Sequence, residues 1–124
     1  MTRILVIDDA PVILNLCREI LAEVGYEVEG AADGAEGILF FRKRPADLVL
    51  CDLLMPVKDG CQTIRELRAF SSVPIVVMNG RGSFLPGLKT YEDALRAGAT
   101  RTLQKPFTSS ELLTMVGEIL RPVG

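Results

Sequence analysis

Three carboxylates, one amide and one lysine each stand where an apolar run stops: Asp8 and Asp9 after residues 4–7, Asp52 after residues 48–51, Asn79 after residues 75–78, and Lys105 shortly after residues 99–103. If those runs are parallel strands, their carboxyl ends share one edge of a sheet, and the five side chains face one shallow site. Carboxylates gathered there repel one another and raise each other's pKa values unless a hard cation and a nearby ammonium share the charge. Oxygen-only ligation with room for water suits Mg²⁺, which takes a few carboxylates together with phosphate oxygens. With Lys105 beside the cation, such a site neutralises an incoming phosphoryl group while a carboxylate attacks phosphorus to form an acyl phosphate. The chain has no histidine, which removes imidazole bases, Ser-His and Cys-His pairs and most zinc sites. Its three cysteines, Cys17, Cys51 and Cys61, have no metal-like spacing and read as reduced, small apolar residues.

The elements that must position these groups are legible from periodicity. Residues 48–51 are too continuously apolar for a strand with one wet face, and too short for a helix before Pro56 and Gly60, so they predict a strand buried on both faces that ends at Asp52. Residues 3–7 repeat the pattern and end in the acid pair. Pro11 then suits the first turn of a helix whose stripe is Ile13, Leu16, Cys17, Ile20, Leu21 and Val24, with Gly25 as its stop. Residues 26–29 alternate like a strand with one wetter face, and Asp33 with Glu36 opens a second helix over about 34–43, weakened at Gly37 by roughly 1 kcal/mol relative to alanine. Asp59 with Gln62 resembles a capping box for a third helix with Ile64, Leu67 and Phe70 inward. A strand over 73–78 tolerates Pro74 at its start, and residues 80–87, with Phe84 and Leu85, read as an irregular loop. Thr90 with Asp93 starts a short fourth helix closed by Gly98, residues 99–103 form a weak last strand, and Thr108 with Glu111 opens a fifth helix with Leu112, Met115, Val116, Ile119 and Leu120 inward. Five strand-helix pairs in strict alternation predict one doubly wound α/β domain: a flavodoxin-like (βα)5 fold, with a five-stranded parallel sheet covered by helices on both faces.

Composition sets the outer limits. With 124 residues, 48% hydrophobic, 24% charged and a formal net charge of −2, the sequence suits a single domain with a full core and no excess field for nucleic acid or an anionic membrane. No apolar run approaches the roughly 20 residues of a bilayer span, and residues 1–3 lead straight into a strand pattern, so a cytoplasmic location is expected. Residues 1–124 are expected to be one domain, with no output domain in the sequence.

Taken together, Asp8-Asp9, Asp52-Leu53-Leu54-Met55-Pro56 with Asp59-Gly60, Ala97-Gly98-Ala99 and Lys105-Pro106-Phe107 identify a pattern. The chain resembles a receiver domain of the bacterial two-component response regulators, over essentially its whole length. The resemblance implies that Asp52 is the phosphoacceptor, taking a phosphoryl group from the phosphohistidine of a sensor histidine kinase or phosphotransfer protein. It implies Mg²⁺ held by Asp9 and Asp52 through side chains, by Leu54 through its carbonyl, and by Asp8 mainly through water. It also implies that Lys105 contacts a phosphoryl oxygen, that a cis peptide precedes Pro106, and that a downstream protein reads the activated surface. The domain is then a switch that catalyses only its own modification, without binding nucleic acid or membrane itself. Two positions depart from the pattern. Asn79 stands where receivers usually carry Ser or Thr, and Thr102 where they usually carry Tyr or Phe. Asn79 keeps an amide that could reach a phosphoryl oxygen, whereas Thr102 has no ring to swing. The expectation is that phosphorylation is retained but reported through the loop from Phe84 to Tyr91, a candidate partner surface with Leu85.

Simpler readings compete at each position. Asp8 and Asp9 alone could be a helix cap and a solvated neighbour, and Lys105 alone an ordinary surface lysine; their shared register with Asp52 is what favours a site. Asp33, Asp59 and Glu111 read as caps, Asp47 as a solvated charge, and one of Phe40 and Phe41 as core with the other at the surface. The main rival is a receiver-like interaction module that works without phosphorylation, motivated by Asn79 and Thr102. A carboxylate-nucleophile phosphohydrolase would usually place two acids one residue apart after the first strand, whereas Asp8 and Asp9 are adjacent. Gly80, Gly82 and Gly87 form neither a P-loop nor a dinucleotide fingerprint.

Overall fold

The computed structural model describes residues 1–56, 58–80 and 89–120. The strands are β1 (Arg3–Ile7), β2 (Glu27–Ala31), β3 (Leu48–Asp52), β4 (Ile75–Asn79) and β5 (Arg101–Gln104); the helices are α1 (Pro11–Glu23), α2 (Gly34–Lys43), α3 (Gly60–Arg68), α4 (Tyr91–Ala97) and α5 (Ser109–Leu120). All four strand pairings are parallel, in the order β2-β1-β3-β4-β5. This is the flavodoxin-like (βα)5 arrangement that the alternation predicts. The winding reverses at β1, so the crevice of the switch point opens between the carboxyl ends of β1 and β3. Ile7 pairs with Cys51 there, which sets Asp8 beside Asp52.

The core has two layers. On one face Cys17 and Leu21 of α1 and Leu112 and Val116 of α5 cover Ile4, Val6, Leu48, Leu50, Val76 and Met78. On the other, Ile38 and Phe41 of α2, Cys61, Ile64 and Leu67 of α3 and Ala94 of α4 cover Leu5, Ile7, Val49, Cys51, Ile75 and Val77. Alternate residues of β1, β3 and β4 thus enter opposite layers, which is why those strands have no polar face. The edge strand β2 stays half-buried over Glu27–Gly30, in keeping with its wetter pattern.

The capping sequences behave as expected. Asp59 and Gln62 form a reciprocal box, as do Thr90 and Asp93, and Thr108 and Glu111 exchange the same two hydrogen bonds at 3.0 Å. At α2 the Asp33 side chain accepts from Glu36 N, while Glu36 reaches one residue further back, to Ala32 N. Gly37 has a packing reason: a Cβ there would lie 2.4 Å from Ile7 Cδ1, so α2 settles against β1 only because that side chain is missing.

Five expectations need correction, one of them the fourth strand, which runs Ile75–Asn79 rather than over 73–78. Leu16 and Val24 are exposed at 39% and 55%, and Leu14 packs on the α1 layer instead, because that helix buries a narrower stripe than its apolar residues offer. Phe70 is 40% exposed rather than inward; it lies past the end of α3, its ring tilted against Phe41 and covered by the Arg42 guanidinium. The second strand begins at Glu27, since Tyr26 N still donates to Leu21 O beyond the turn at Gly25 (φ 100°). The last strand begins at Arg101 because Ala99 N donates to Ala94 O and so still closes α4. Of the aromatic pair on α2, Phe41 is core and Phe40 only half-buried. Asp47 is exposed but not idle: its carboxylate accepts from Arg3 N at 2.8 Å, joining the starts of β1 and β3.

Candidate functional site

Each site residue is placed by the strand that precedes it. β1 ends at Ile7, and Asp8 continues the sheet by donating its N–H to Ala31 O at 3.0 Å, leaving its side chain completely buried. Asp52 is the last residue of β3 and is 7% exposed. After it the chain turns back so that Gly60 N donates to Leu53 O at 2.8 Å, and a Cβ on Gly60 would lie 2.4 Å from the Asp52 carbonyl oxygen. The glycine therefore lets the start of α3 close over the strand end that carries the acid. Lys105 follows β5, its N–H bonded to Asn79 O at 2.7 Å, and the Lys105–Pro106 peptide is cis, as the resemblance implies.

These placements bring the side chains together. Lys105 Nζ lies 2.6 Å from Asp8 Oδ2 and 3.1 Å from Asp52 Oδ1, bridging two buried acids. Asp8 Oδ1 also accepts from Ala10 N at 2.9 Å, which fixes the carboxylate plane. Asp9 is exposed at the mouth, and Asp8, Asp9 and Asp52 each offer an oxygen within 4.8 Å of the others. Burial, then the charge of Asp8, pushes the Asp52 carboxyl up to about 6, against the opposing charge and hydrogen bond of Lys105. Burial works to lower the Lys105 pKa, but its hydrogen bond to Asp8 and the charges of Asp52 and Asp8 outweigh it, so the ammonium is held. Three carboxylates against one ammonium leave an excess of negative charge, and among the described residues the ligand atoms gathered are oxygens. That donor set fits a hard divalent cation of the Mg²⁺ type.

The other candidates fall as follows. Leu54 lies in the bend two residues beyond Asp52. Asn79 ends β4, buried, one strand over from Asp52. Thr102 sits half-buried in β5 opposite Val77 and carries no ring toward the site. Tyr91 is half-buried rather than simply presented to a partner, and its hydroxyl donates to the Asn79 and Leu103 carbonyls. Phe84 and Leu85 lie outside the described residues. Sequence reasoning missed the inward role of Tyr91; the available signal was an aromatic residue directly after the Thr90 cap. All three cysteines are buried, and burial drives the Cys17 thiol up to about 11 and Cys51 higher still, in line with packing rather than reactivity.

A family model described as the response regulator receiver domain matches residues 4–117. The chain belongs to that family. It is 36% identical over 121 residues to a probable transcriptional regulator ycf27 of Porphyridium aerugineum, covering 98% of this chain and 49% of the relative. It is also 34% identical to protein CcdB of Bacillus subtilis (strain 168), over 97% of this chain and 98% of that one. Among solved structures, chemotaxis protein CheY4 of Vibrio cholerae superposes with a TM-score of 0.84 at 30% identity, over 97% of this chain and 99% of that one. The chain spans about half the length of most of the curated relatives it matches. It is a receiver domain of the two-component response regulators, with the acidic pocket in the place that the fold dictates. No helix among the described residues is long and apolar enough to cross a membrane.

Proposed function

We propose that Asp52 accepts a phosphoryl group from the phosphohistidine of a sensor histidine kinase or phosphotransfer protein, in a Mg²⁺-dependent reaction in the cytoplasm, and that the modified domain presents an altered surface to a downstream protein. The observation that carries this is Lys105 Nζ set between Asp8 and Asp52 at the switch point of the sheet. In the transfer, an Asp52 carboxylate oxygen attacks phosphorus, the phosphorus–nitrogen bond breaks, the electron pair leaves with the imidazole, and an acyl phosphate forms. Mg²⁺, when bound, supplies positive charge to the phosphoryl oxygens. Asp8, Asp9 and Asp52 would hold it, with the Leu54 carbonyl as a further oxygen. Lys105 keeps its ammonium, is already within reach of the acceptor oxygen, and exchanges part of its contact with Asp52 for a phosphoryl oxygen. Asn79 lies on the same edge and would offer its side-chain amide to that group. The domain is thus a switch that catalyses its own phosphorylation and hydrolysis rather than a metabolic enzyme.

A module that worked without phosphorylation would have no use for a lysine bridging two buried acids, because a lone apolar replacement of the cluster would be no less stable. The test is the intact mass after incubation with acetyl phosphate, with and without Mg²⁺, beside Asp52→Asn. One added phosphoryl group that needs both Mg²⁺ and Asp52 is expected. No gain in mass, or an equal gain in the Asn variant, contradicts the proposal.

A further inference from the structure

The first residue of α4 reaches into the back of the site. Tyr91 follows the Thr90 cap, packs half-buried against the layer of α2, α3 and α4, and places its hydroxyl 3.2 Å from both the Asn79 and the Leu103 carbonyl oxygens. Its one proton is shared between two acceptors at the carboxyl ends of neighbouring strands. The Asn79 carbonyl also accepts the Lys105 N–H at 2.7 Å, so the tyrosine and the lysine main chain converge on one oxygen. From that anchored main chain the Lys105 side chain runs to Asp8 and Asp52. β5 is an edge strand of four residues, bonded to β4 on one side only, and it carries no aromatic residue that could brace its own end. An edge segment with few partners is the easiest part of a sheet to displace.

We infer that Tyr91 is a positioning residue for phosphoryl transfer: its hydroxyl ties α4 to the ends of β4 and β5 and so holds Lys105 at its working distance from Asp52. The inference rests on Asp52 being the acceptor. It goes beyond that assignment by giving a task to a side chain that touches none of the reacting atoms.

Tyr91→Phe keeps the ring and deletes only the hydroxyl. Two shared hydrogen bonds of ordinary strength are worth about three- to tenfold in rate if their whole effect is on placement. The experiment is the initial rate of acetyl phosphate labelling at saturating Mg²⁺, read by intact mass for the wild type, Tyr91→Phe, Lys105→Ala and the double variant. Tyr91→Phe is expected to slow labelling about three- to tenfold without raising the half-saturating Mg²⁺ concentration, and to add nothing once Lys105 is gone. A rate unchanged in Tyr91→Phe overturns the inference. So does a loss of the same size in the Lys105→Ala background, or a parallel rise in the Mg²⁺ requirement, since either marks general loosening of the fold. A wild type that takes no label overturns the acceptor assignment itself, and this inference with it.

Discussion

Replacing the acceptor should make the domain more stable. Asp52 is 7% exposed, faces the fully buried Asp8, and has its pKa raised from 3.8 to about 6 by burial and by that neighbour. The folded state therefore binds this proton more tightly than the unfolded chain does. Folding is favoured where the carboxyl is protonated, below pH 3.8; the advantage fades as pH rises to about 6, and above that the ionised acid is a full liability. At about 1.4 kcal/mol per pH unit the cost at pH 8 is roughly 3 kcal/mol, and the partial opening of the site to water brings it to about 2 kcal/mol. Asp52→Asn removes that cost and leaves an amide oxygen to accept from Lys105, which still pairs with Asp8. Urea unfolding in a chelating buffer should show the variant about 2 kcal/mol more stable than the wild type at pH 8, with the difference shrinking toward zero as pH falls through 6 to 4. A variant equal to or weaker than the wild type at pH 8, or a benefit that does not change with pH, would refute the electrostatic account of the site.

Three further outcomes follow from the same structure. Mg²⁺ added to the wild type at pH 8 should stabilise it by RT ln(1 + [L]/Kd) and so raise its unfolding midpoint, and should do so much less in Asp52→Asn; equal midpoint shifts in differential scanning fluorimetry would place the cation elsewhere. Gly37→Ala should destabilise by about 1–3 kcal/mol in urea despite its better helix propensity, because the new methyl meets Ile7 Cδ1 at 2.4 Å, and Ile7→Val should recover part of the loss; a stabilised single variant contradicts this packing. Asp59→Ala deletes the cap that accepts from Gln62 N at 2.9 Å and should cost about 1 kcal/mol in the same assay, with no change expected if α3 were held by tertiary packing alone.

Much of the fold was legible because β1, β3 and β4 are buried on both faces and end in polar groups. A run such as residues 48–51 has one interpretation once Pro56 and Gly60 limit its length, and the register of a parallel sheet then carries Asp8, Asp52 and Lys105 to one edge without further information. Caps were legible for a similar reason, since Asp59 with Gln62 and Thr90 with Asp93 satisfy donors that any helix start leaves open. What periodicity does not give is the width of the buried stripe. Leu16 and Val24 lie on the helical spacing of α1, yet α1 meets only part of the sheet, beside α5, and leaves them outside. Phe70 follows the spacing of α3, but the helix stops at Arg68 and the ring falls against Phe41 instead. Strand starts moved where helix ends overran them, at Tyr26 and at Ala99, because one backbone hydrogen bond decides the boundary and no side chain announces it. The contact of Tyr91 with two strand carbonyls depends on the placement of α4, which no local pattern encodes.

The central claim is that the carboxylate of Asp52, and no other, becomes the acyl phosphate. Borohydride reduction after acetyl phosphate and Mg²⁺ treatment, followed by peptide mass spectrometry, tests it directly, since hydride converts an aspartyl phosphate to homoserine and leaves free aspartate alone. Homoserine at position 52, absent when Mg²⁺ is withheld, is the predicted result. Homoserine at position 8 or 9, or none in a protein that gained phosphoryl mass, would contradict the site built here around Lys105.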